Sequence, residues 1–523
     1  MAKRFVTLVA AGALTLGLLA QVAAVSAAGS NILTAKLAGS HEVAPVATAG
    51  TGSVRVAIVG DGSSIFYQVS YSGLSGPVVA SHIHVGDIGA NGPVLFPLTP
   101  GPNPMSGTLT AAAFTGANGL TYTQALDAIR SGGTYVNLHT AKHPGGEVRG
   151  QFYDAQAQPT YTIVADAPQA VPQGRLWVFN DYFPRTLTVT SGAILKFVNA
   201  GFHTSTLLPA GMTAAQDNAA NGIAAPDLDD TALNPNGTTH VVQNLGALAP
   251  TPADCGTDAN PCLFDGTSII NEPVSLGPPT DPRAIRIEAP PGQYVFHCRL
   301  HPDMVGWLNV VSDGVVVSSP DDLAADSARQ IAADVAAGWT AQKAADRQSG
   351  RRNRDGTTTW TVSAGTDSPG RKVSILEFLP ARVNAKPGDR IRFLPKSYNE
   401  PHTVTFPEYL GTDTAIVCEG DDGDTPAVPI VNPPTGPQDF GCEDGSPPEF
   451  EIGGGNGVST LTSPTTVSDS GLVFRAGAEK GFGLPASAAL PTWTATLART
   501  ATAGTYHFVC QFHDGMAGDI VVK

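Results

Sequence analysis

Gly292-Gln293-Tyr294-Val295-Phe296-His297-Cys298-Arg299-Leu300-His301-Pro302-Asp303-Met304 decides the reading of this chain, because the chain writes it twice. The second version is Gly504-Thr505-Tyr506-His507-Phe508-Val509-Cys510-Gln511-Phe512-His513-Asp514-Gly515-Met516. Six shared residues (Gly, Tyr, Phe, Cys, His and Met) are all offset by 212 positions, which chance does not produce. Tyr294, Phe296 and Cys298 are spaced by two, as are Tyr506, Phe508 and Cys510. On a strand such residues share one face, so each thiol ends a buried aromatic row. A His follows three residues later and a Met three after that. A tight loop leaving the strand can turn all three side chains toward one point.

Moving outward, the repetition continues. Phe183-Pro184 leads to Gly192 and then to Ile194-Leu195-Lys196-Phe197; Phe378-Leu379-Pro380 leads to Gly388 and then to Arg390-Ile391-Arg392-Phe393. Pro to Gly is 8 residues and Gly to Phe is 5 in both. A His comes next in each, His203 and His402, placed to approach the thiol from a neighbouring strand. The chain therefore holds a duplicated domain. Between the copies, Ser319-Pro320-Asp321-Asp322 has a capping Ser, a Pro in the first turn and acids facing the helix dipole. With Leu323, Ile331, Val335 and Trp339 on one stripe, the spacing predicts a helix over about 320–346. Ahead of the first copy, Ile65, Tyr67, Val69 and Tyr71 alternate with polar neighbours, as a half-buried strand requires.

Two imidazoles, a thiolate and a thioether suit copper. Thiolate and thioether favour Cu(I), imidazole accepts either oxidation state, and a trigonal set with a weak axial Met suits neither perfectly, so little rearrangement accompanies electron movement. Zinc prefers four firm ligands and gains little from Met.

At these residues both copies resemble the cupredoxin family of plastocyanin-like copper proteins, over about 156–315 and 355–523. The two-residue gaps of the closing loop resemble the short-looped amicyanin type. The resemblance implies a Greek-key β-sandwich and one-electron transfer through a ligand His near the surface. It implies one type 1 copper at His203, Cys298, His301 and Met304 and another at His402, Cys510, His513 and Met516. The chain departs from the family in length: Cys298 follows His203 by 95 residues and Cys510 follows His402 by 108. The excess includes Cys255 and Cys262, and an acidic, Pro-rich stretch from Cys418 to Cys442. Each pair is expected to close a disulfide within its insertion.

The N-terminal segment resembles the CHRD family through Ser81-His82-Ile83-His84-Val85-Gly86, Tyr135-Val136-Asn137-Leu138-His139-Thr140 and His143-Pro144-Gly145-Gly146-Glu147-Val148-Arg149-Gly150-Gln151. What that implies about activity is thin, and it is read as a binding or anchoring module. His82 and His84 share a strand face, and with His139 and His143 they form either a metal site or a set of hydrogen-bonding groups at strand ends. Glu147 and Arg149 alternate along a strand and are read as a solvated ladder.

The bulk properties frame this. A chain of 523 residues is too long for one core. Charged residues make up only 14%, while 58 Gly and 42 Pro suggest short strands and many turns, hence a mainly β fold. Lys3 and Arg4, the apolar Val6 to Ala20 and the small residues Ser26-Ala27-Ala28 read as a cleaved signal peptide over 1–28. The expected order is then a CHRD domain at 29–155, a cupredoxin domain at 156–315, a helical linker at 316–354 and a second cupredoxin domain at 355–523. Export to the periplasm or outside the cell follows, with no membrane span. Removing Lys3 and Arg4 takes the net charge from −15 to −17, which argues against nucleic acid and is compatible with a redox partner protein.

The chain thus reads as a carrier of electrons rather than an enzyme. The alternatives are a copper-binding matrix or storage protein without redox turnover, and a nitrite-reductase-like enzyme using an additional copper beside His297. Against the last, Thr204 to Pro209 holds no further His, and His297 faces away from Cys298 as an exposed residue does. His-x-His pairs of the multicopper-oxidase kind are missing from the repeats, and His240 and His507 are read as surface residues.

Overall fold

The computed structural model describes residues 31–154, 160–222, 224–225, 236–238, 242–243, 247, 249–274, 282–312, 315, 317–347, 349–408, 414–417, 449–452, 455–482 and 486–523. Residues 1–28, expected to be a leader, and His240, Cys418 and Cys442 lie outside them. The fold is mainly β, and the chain divides into two compact units. One comprises the described residues before 160 together with Ser319–Ala325. The other comprises Thr160–Ser318 and Asp326–Lys523.

The first unit is built on one eight-stranded sheet. Its strands, in spatial order, are Val94–Leu98, Val78–Val85, Thr134–Thr140, Val148–Gln151, Ile32–Ala38, Thr51–Ile58, Ser64–Ser72 and Met105–Thr110. Strand Ser64–Ser72 alternates as its sequence dictates: Ile65, Tyr67 and Val69 are buried while Phe66, Gln68 and Ser70 are exposed. A helix, Tyr122–Arg130, adds Leu126 and Ile129 to this core; Thr121 caps it and Gln124 reaches back to close a capping box.

The second unit contains the duplication. In the first copy, one sheet runs Tyr182–Phe183, Thr160–Ala165, Ile194–Asn199, Ala284–Ile287 and Cys262–Phe264. The other runs Thr186–Thr190, Val305–Val311, Gly292–His297, Ser205–Leu207 and Ile270–Glu272. The second copy repeats this plan. Thr358–Asp367 pairs in parallel with Arg390–Lys396, as Thr160–Ala165 does with Ile194–Asn199. Arg382–Ala385 pairs in parallel with Ala517–Val522, as Thr186–Thr190 does with Val305–Val311. Gly192 and Gly388 take the same left-handed turn, at φ of 90° and 91°, which explains why both copies keep a glycine there.

In each copy the aromatic residue two before the thiol joins the facing sheets. The Phe296 ring lies 4.9 Å from Tyr182 and 5.3 Å from Phe197; the Phe508 ring lies 4.8 Å from Phe378 and 5.0 Å from Phe393. Such offset and edge-on ring pairs add to the area they bury.

The copies also share a sheet. Strand Trp177–Phe179, from the first copy's sequence, pairs antiparallel with Val373–Leu379 of the second. The helix predicted over 320–346 is observed as Pro320–Ala345, with Ser319 Oγ accepting from Asp322 N at 3.2 Å. Its stripe Ile331, Val335 and Trp339 packs against Trp177, Phe179 and Ile375, and Gln342 accepts a hydrogen bond from the Trp177 indole at 2.9 Å.

Candidate metal centres

Cys298 directly follows strand Gly292–His297, and His203 directly precedes Thr204 and strand Ser205–Leu207, which pairs with it. The earlier His therefore does arrive from the neighbouring strand. The closing loop is drawn tight by two backbone bonds, Cys298 N to Met304 O at 3.1 Å and Met304 N to His301 O at 2.9 Å. As a result Cys298 Sγ lies 3.4 Å from His301 Nδ1 and 3.8 Å from His203 Nδ1, and the two Nδ1 atoms are 2.9 Å apart. The four side chains are buried, Met304 completely.

The second centre repeats the first. Cys510 N bonds to Met516 O at 2.9 Å and Met516 N to His513 O at 3.0 Å. Cys510 Sγ lies 3.5 Å from His513 Nδ1 and 3.9 Å from His402 Nδ1. In both centres the amide after the upstream His, Thr204 N or Thr403 N, donates to the sulfur at 3.4 Å. The hydroxyls of the same two threonines accept from Arg299 N and Gln511 N, at 2.9 and 2.8 Å.

Burial alone would raise both thiols. The facing His301 and His203, or His513 and His402, outweigh it and hold each thiol well below its ordinary range. His301 is lowered by burial but raised more strongly by Glu400 and Cys298, to about 10; His513 is raised likewise, to about 10. Each set thus brings one sulfur, favoured in its anionic form, to two histidine rings that present Nδ1 inward. Thiolate, imidazole and a buried thioether are the donors that copper takes.

Two acidic residues beside the ligands were not singled out by the sequence. Asp166, at φ 73°, takes amide bonds from Ala167 N and Phe179 N on one carboxylate oxygen and turns the other to within 3.7 Å of His203 Nε2. At the register-equivalent position of the second copy stands Gly365, at φ 66°; His402 Nε2, like His203 Nε2, is buried with no hydrogen-bond partner. Glu400 lies between the copies. Its carboxylate oxygens lie 3.1 Å from His301 Nε2 and 3.4 Å from His513 Nε2, so both rings turn Nε2 to one buried carboxylate, with His513 the more exposed of the two. The only local signal was an acid two residues ahead of His402.

Other expectations meet the structure as follows. Cys255 and Cys262 form the expected disulfide. His297 is fully buried, not exposed: its Nε2 lies 2.9 Å from Asp217 Oδ2, and Arg299 holds the same carboxylate at 2.7 Å. The cause is the helix Ala214–Asn221, which brings Asp217 over that face of the strand. His507 is exposed, beside Asp519 at 2.9 Å. Glu147 and Arg149 are no solvated ladder, since both are completely buried. Glu147 accepts from Ser75, Thr140 and Thr48, while the Arg149 guanidinium stacks 3.5 Å from the Tyr135 ring centre and donates to Ala90 O and Asp87 O. Of the four His considered for an N-terminal metal site, three come together, His82, His84 and His139; His143 stands outside the group.

No curated protein matches the sequence. Among solved structures, a mutant plastocyanin of a fern is 15% identical, with 31% of this chain and 99% of that chain covered and a TM-score of 0.12. A pseudoazurin from Sinorhizobium meliloti is 15% identical, with 34% of this chain and 98% of that chain covered and a TM-score of 0.13. Residues 33–152 match the family model of the CHRD domain, and the N-terminal segment of the chain carries that domain.

Proposed function

We propose that the protein is exported, holds one copper in each of the sets His203, Cys298, His301, Met304 and His402, Cys510, His513, Met516, and serves in one-electron transfer with a partner protein. The observation that carries this reading is that the donor set occurs twice, with the same inward Nδ1 atoms, the same amide on the sulfur and the same loop closure. When bound, copper supplies a one-electron couple. The chain's own part is to keep the sulfur anionic, fix both rings and hold water away. Thr204 N and Thr403 N serve the first task, the closing loops the second, and Phe296 and Phe508 the third. A preformed, buried set of ligands leaves little to reorganise when the charge changes.

The engagement of His297 with Asp217 favours a carrier over a reductase that needs this imidazole for an additional copper. The Cys255–Cys262 disulfide supports export, because such bonds persist in oxidising compartments. Among the described residues no helix is long and apolar enough to cross a membrane.

The test is visible absorption and electron paramagnetic resonance after copper loading, with copper counted per chain. An intense thiolate-to-copper band that falls by about half in Cys298→Ser and in Cys510→Ser, and disappears in the double variant, supports the reading. A band unchanged by both substitutions sinks it.

A further inference from the structure

We propose that His82, His84 and His139 form a third metal site, in the N-terminal unit, for a borderline divalent cation such as Zn2+ or Cu2+. Strand Val78–Val85 places His82 and His84 on one face, and the antiparallel strand Thr134–Thr140 brings His139 beside them. The ring tautomers are set by backbone. His139 Nδ1 lies 3.0 Å from Pro144 O and His84 Nδ1 2.9 Å from Gly92 O. A carbonyl only accepts, so each Nδ1 carries the proton and each Nε2 keeps a free lone pair. This is the outer arrangement that orients metal-binding imidazoles.

His82 Nδ1 lies 3.2 Å from His139 Nε2, and the three candidate ligand atoms are within 4.8 Å of one another. Three nitrogens bound to one such ion stand about 3.4 Å apart at bond lengths of about 2.1 Å, so small ring movements complete the set. A hydrogen bond between His82 and His139 accounts for two of these rings only. It leaves His84 Nε2 buried without a partner, which a cation resolves. Burial lowers all three imidazoles, His84 to about 4, keeping them neutral as ligands must be. Tyr135 stacks on His84 at 4.8 Å between ring centres and holds it in place. Three neutral imidazoles leave a fourth position for water or a small anion.

The test uses the full chain loaded with Cu2+, comparing wild type with His84→Gln, His139→Gln and the outlying His143→Gln. The first two should each lose one copper per chain, with loss of an ordinary nitrogen-ligated resonance signal and no change in the intense thiolate band. His143→Gln should lose neither. A copper count and ordinary signal unchanged in His84→Gln and His139→Gln overturn the proposal and leave a hydrogen-bonded cluster only. The thiolate band and circular dichroism report whether each variant is folded.

A second observation carries an independent inference, which rests on the two-centre reading above. We infer that Glu400 couples the centres and that an electron passes between them along His301, Glu400 and His513. Each of these imidazoles gives Nδ1 to its own centre and turns Nε2 to a different oxygen of one buried carboxylate. The exchange balances by itself: one centre is oxidised as the other is reduced. It also has a direction. Neither upstream Nε2 has a hydrogen-bond partner, but the Asp166 carboxylate stands 3.7 Å from His203 Nε2 as a nearby negative charge, whereas Gly365 occupies that register position beside His402. A carboxylate behind an imidazole makes it a stronger donor and favours the oxidised state, so the first centre has the lower potential and gives its electron to the second.

Spectroelectrochemical titration, with Cys298→Ser and Cys510→Ser assigning the centres, should give two potentials, the lower at the first. Asp166→Asn should narrow the gap. After pulsed reduction, equilibration between the centres should slow about tenfold or more in Glu400→Ala and recover in part in Glu400→Gln, with both thiolate bands retained. Unchanged rates with both bands intact, or a higher potential at the first centre, overturn the inference. Missing bands in wild type overturn the two-centre reading instead.

Discussion

Replacing Gly365 with Ala should disable the second centre and spare the first. Gly365 sits at φ 66° in the irregular stretch where strand Thr358–Asp367 shifts register against both neighbours. A non-glycine residue in that left-handed region costs about 1–2 kcal/mol. A methyl group there also stands 1.9 Å from His402 Nε2, and its next contacts are other atoms of the same ring. His402 is completely buried, so its ring must rotate or the bulge must open, an overpacking that typically costs about 1–3 kcal/mol. The total is about 2–5 kcal/mol of stability, and either response moves Nδ1 away from Cys510. Urea unfolding of the metal-free protein measures the first effect. The thiolate absorption after copper loading measures the second and should fall by about half, the remainder belonging to Cys298. A destabilisation under about 1 kcal/mol together with a full band would show that His402 does not occupy this position, and the geometry argued for the second centre would be refuted.

In the N-terminal unit, burial raises the Glu147 carboxyl, but hydrogen bonds from Ser75, Thr140 and Thr48 outweigh it and hold the group at about 2. Its folded value lies below its unfolded value, so its contribution is present above the unfolded value and fades as pH falls toward about 2. Acid melting curves should show that loss in wild type and lack it in Glu147→Gln. Asp217→Asn leaves Arg299 and His297 buried with half their partner gone and should destabilise the second unit by about 3–5 kcal/mol in urea, whereas a cost below about 1 kcal/mol would contradict the buried pairing. Serine at both Cys255 and Cys262 opens a short loop and should cost about 2 kcal/mol without altering the thiolate bands; a change in those bands would show that the insertion shapes the centres.

The candidate site was legible because the residues proposed as ligands travel together. Cys298, His301 and Met304 lie within one strand end and one loop, and the repeat at Cys510, His513 and Met516 turned a short spacing into a pattern. The upstream His203 and His402 were legible through their place in the repeated strand order. What stayed hidden depends on partners distant in sequence. Asp217 reaches His297 from 80 residues away, so the burial of His297 had no local sign. Glu147 and Arg149 are spaced like a surface ladder, and only their contacts with Ser75 and Ala90 show that the face they share is covered. Asp166 and Glu400 act on imidazoles through space, and acids near a turn are too common to stand out.

The pairing of Trp177–Phe179 with Val373–Leu379 gives the duplication a history as well as a shape. A gene copy that folds alone can be lost, moved or fused elsewhere without harm to its twin. Once one copy lends a strand to the other's sheet, that freedom ends. Cutting the chain anywhere between Phe179 and Val373 leaves one half with an unpaired edge at Val373–Leu379 and the other with a strand that has no sheet to join, and an open edge of this kind invites association with other chains. Selection then acts on the pair as one heritable object, so the two halves are free to diverge in detail, as Asp166 and Gly365 have, but not to part.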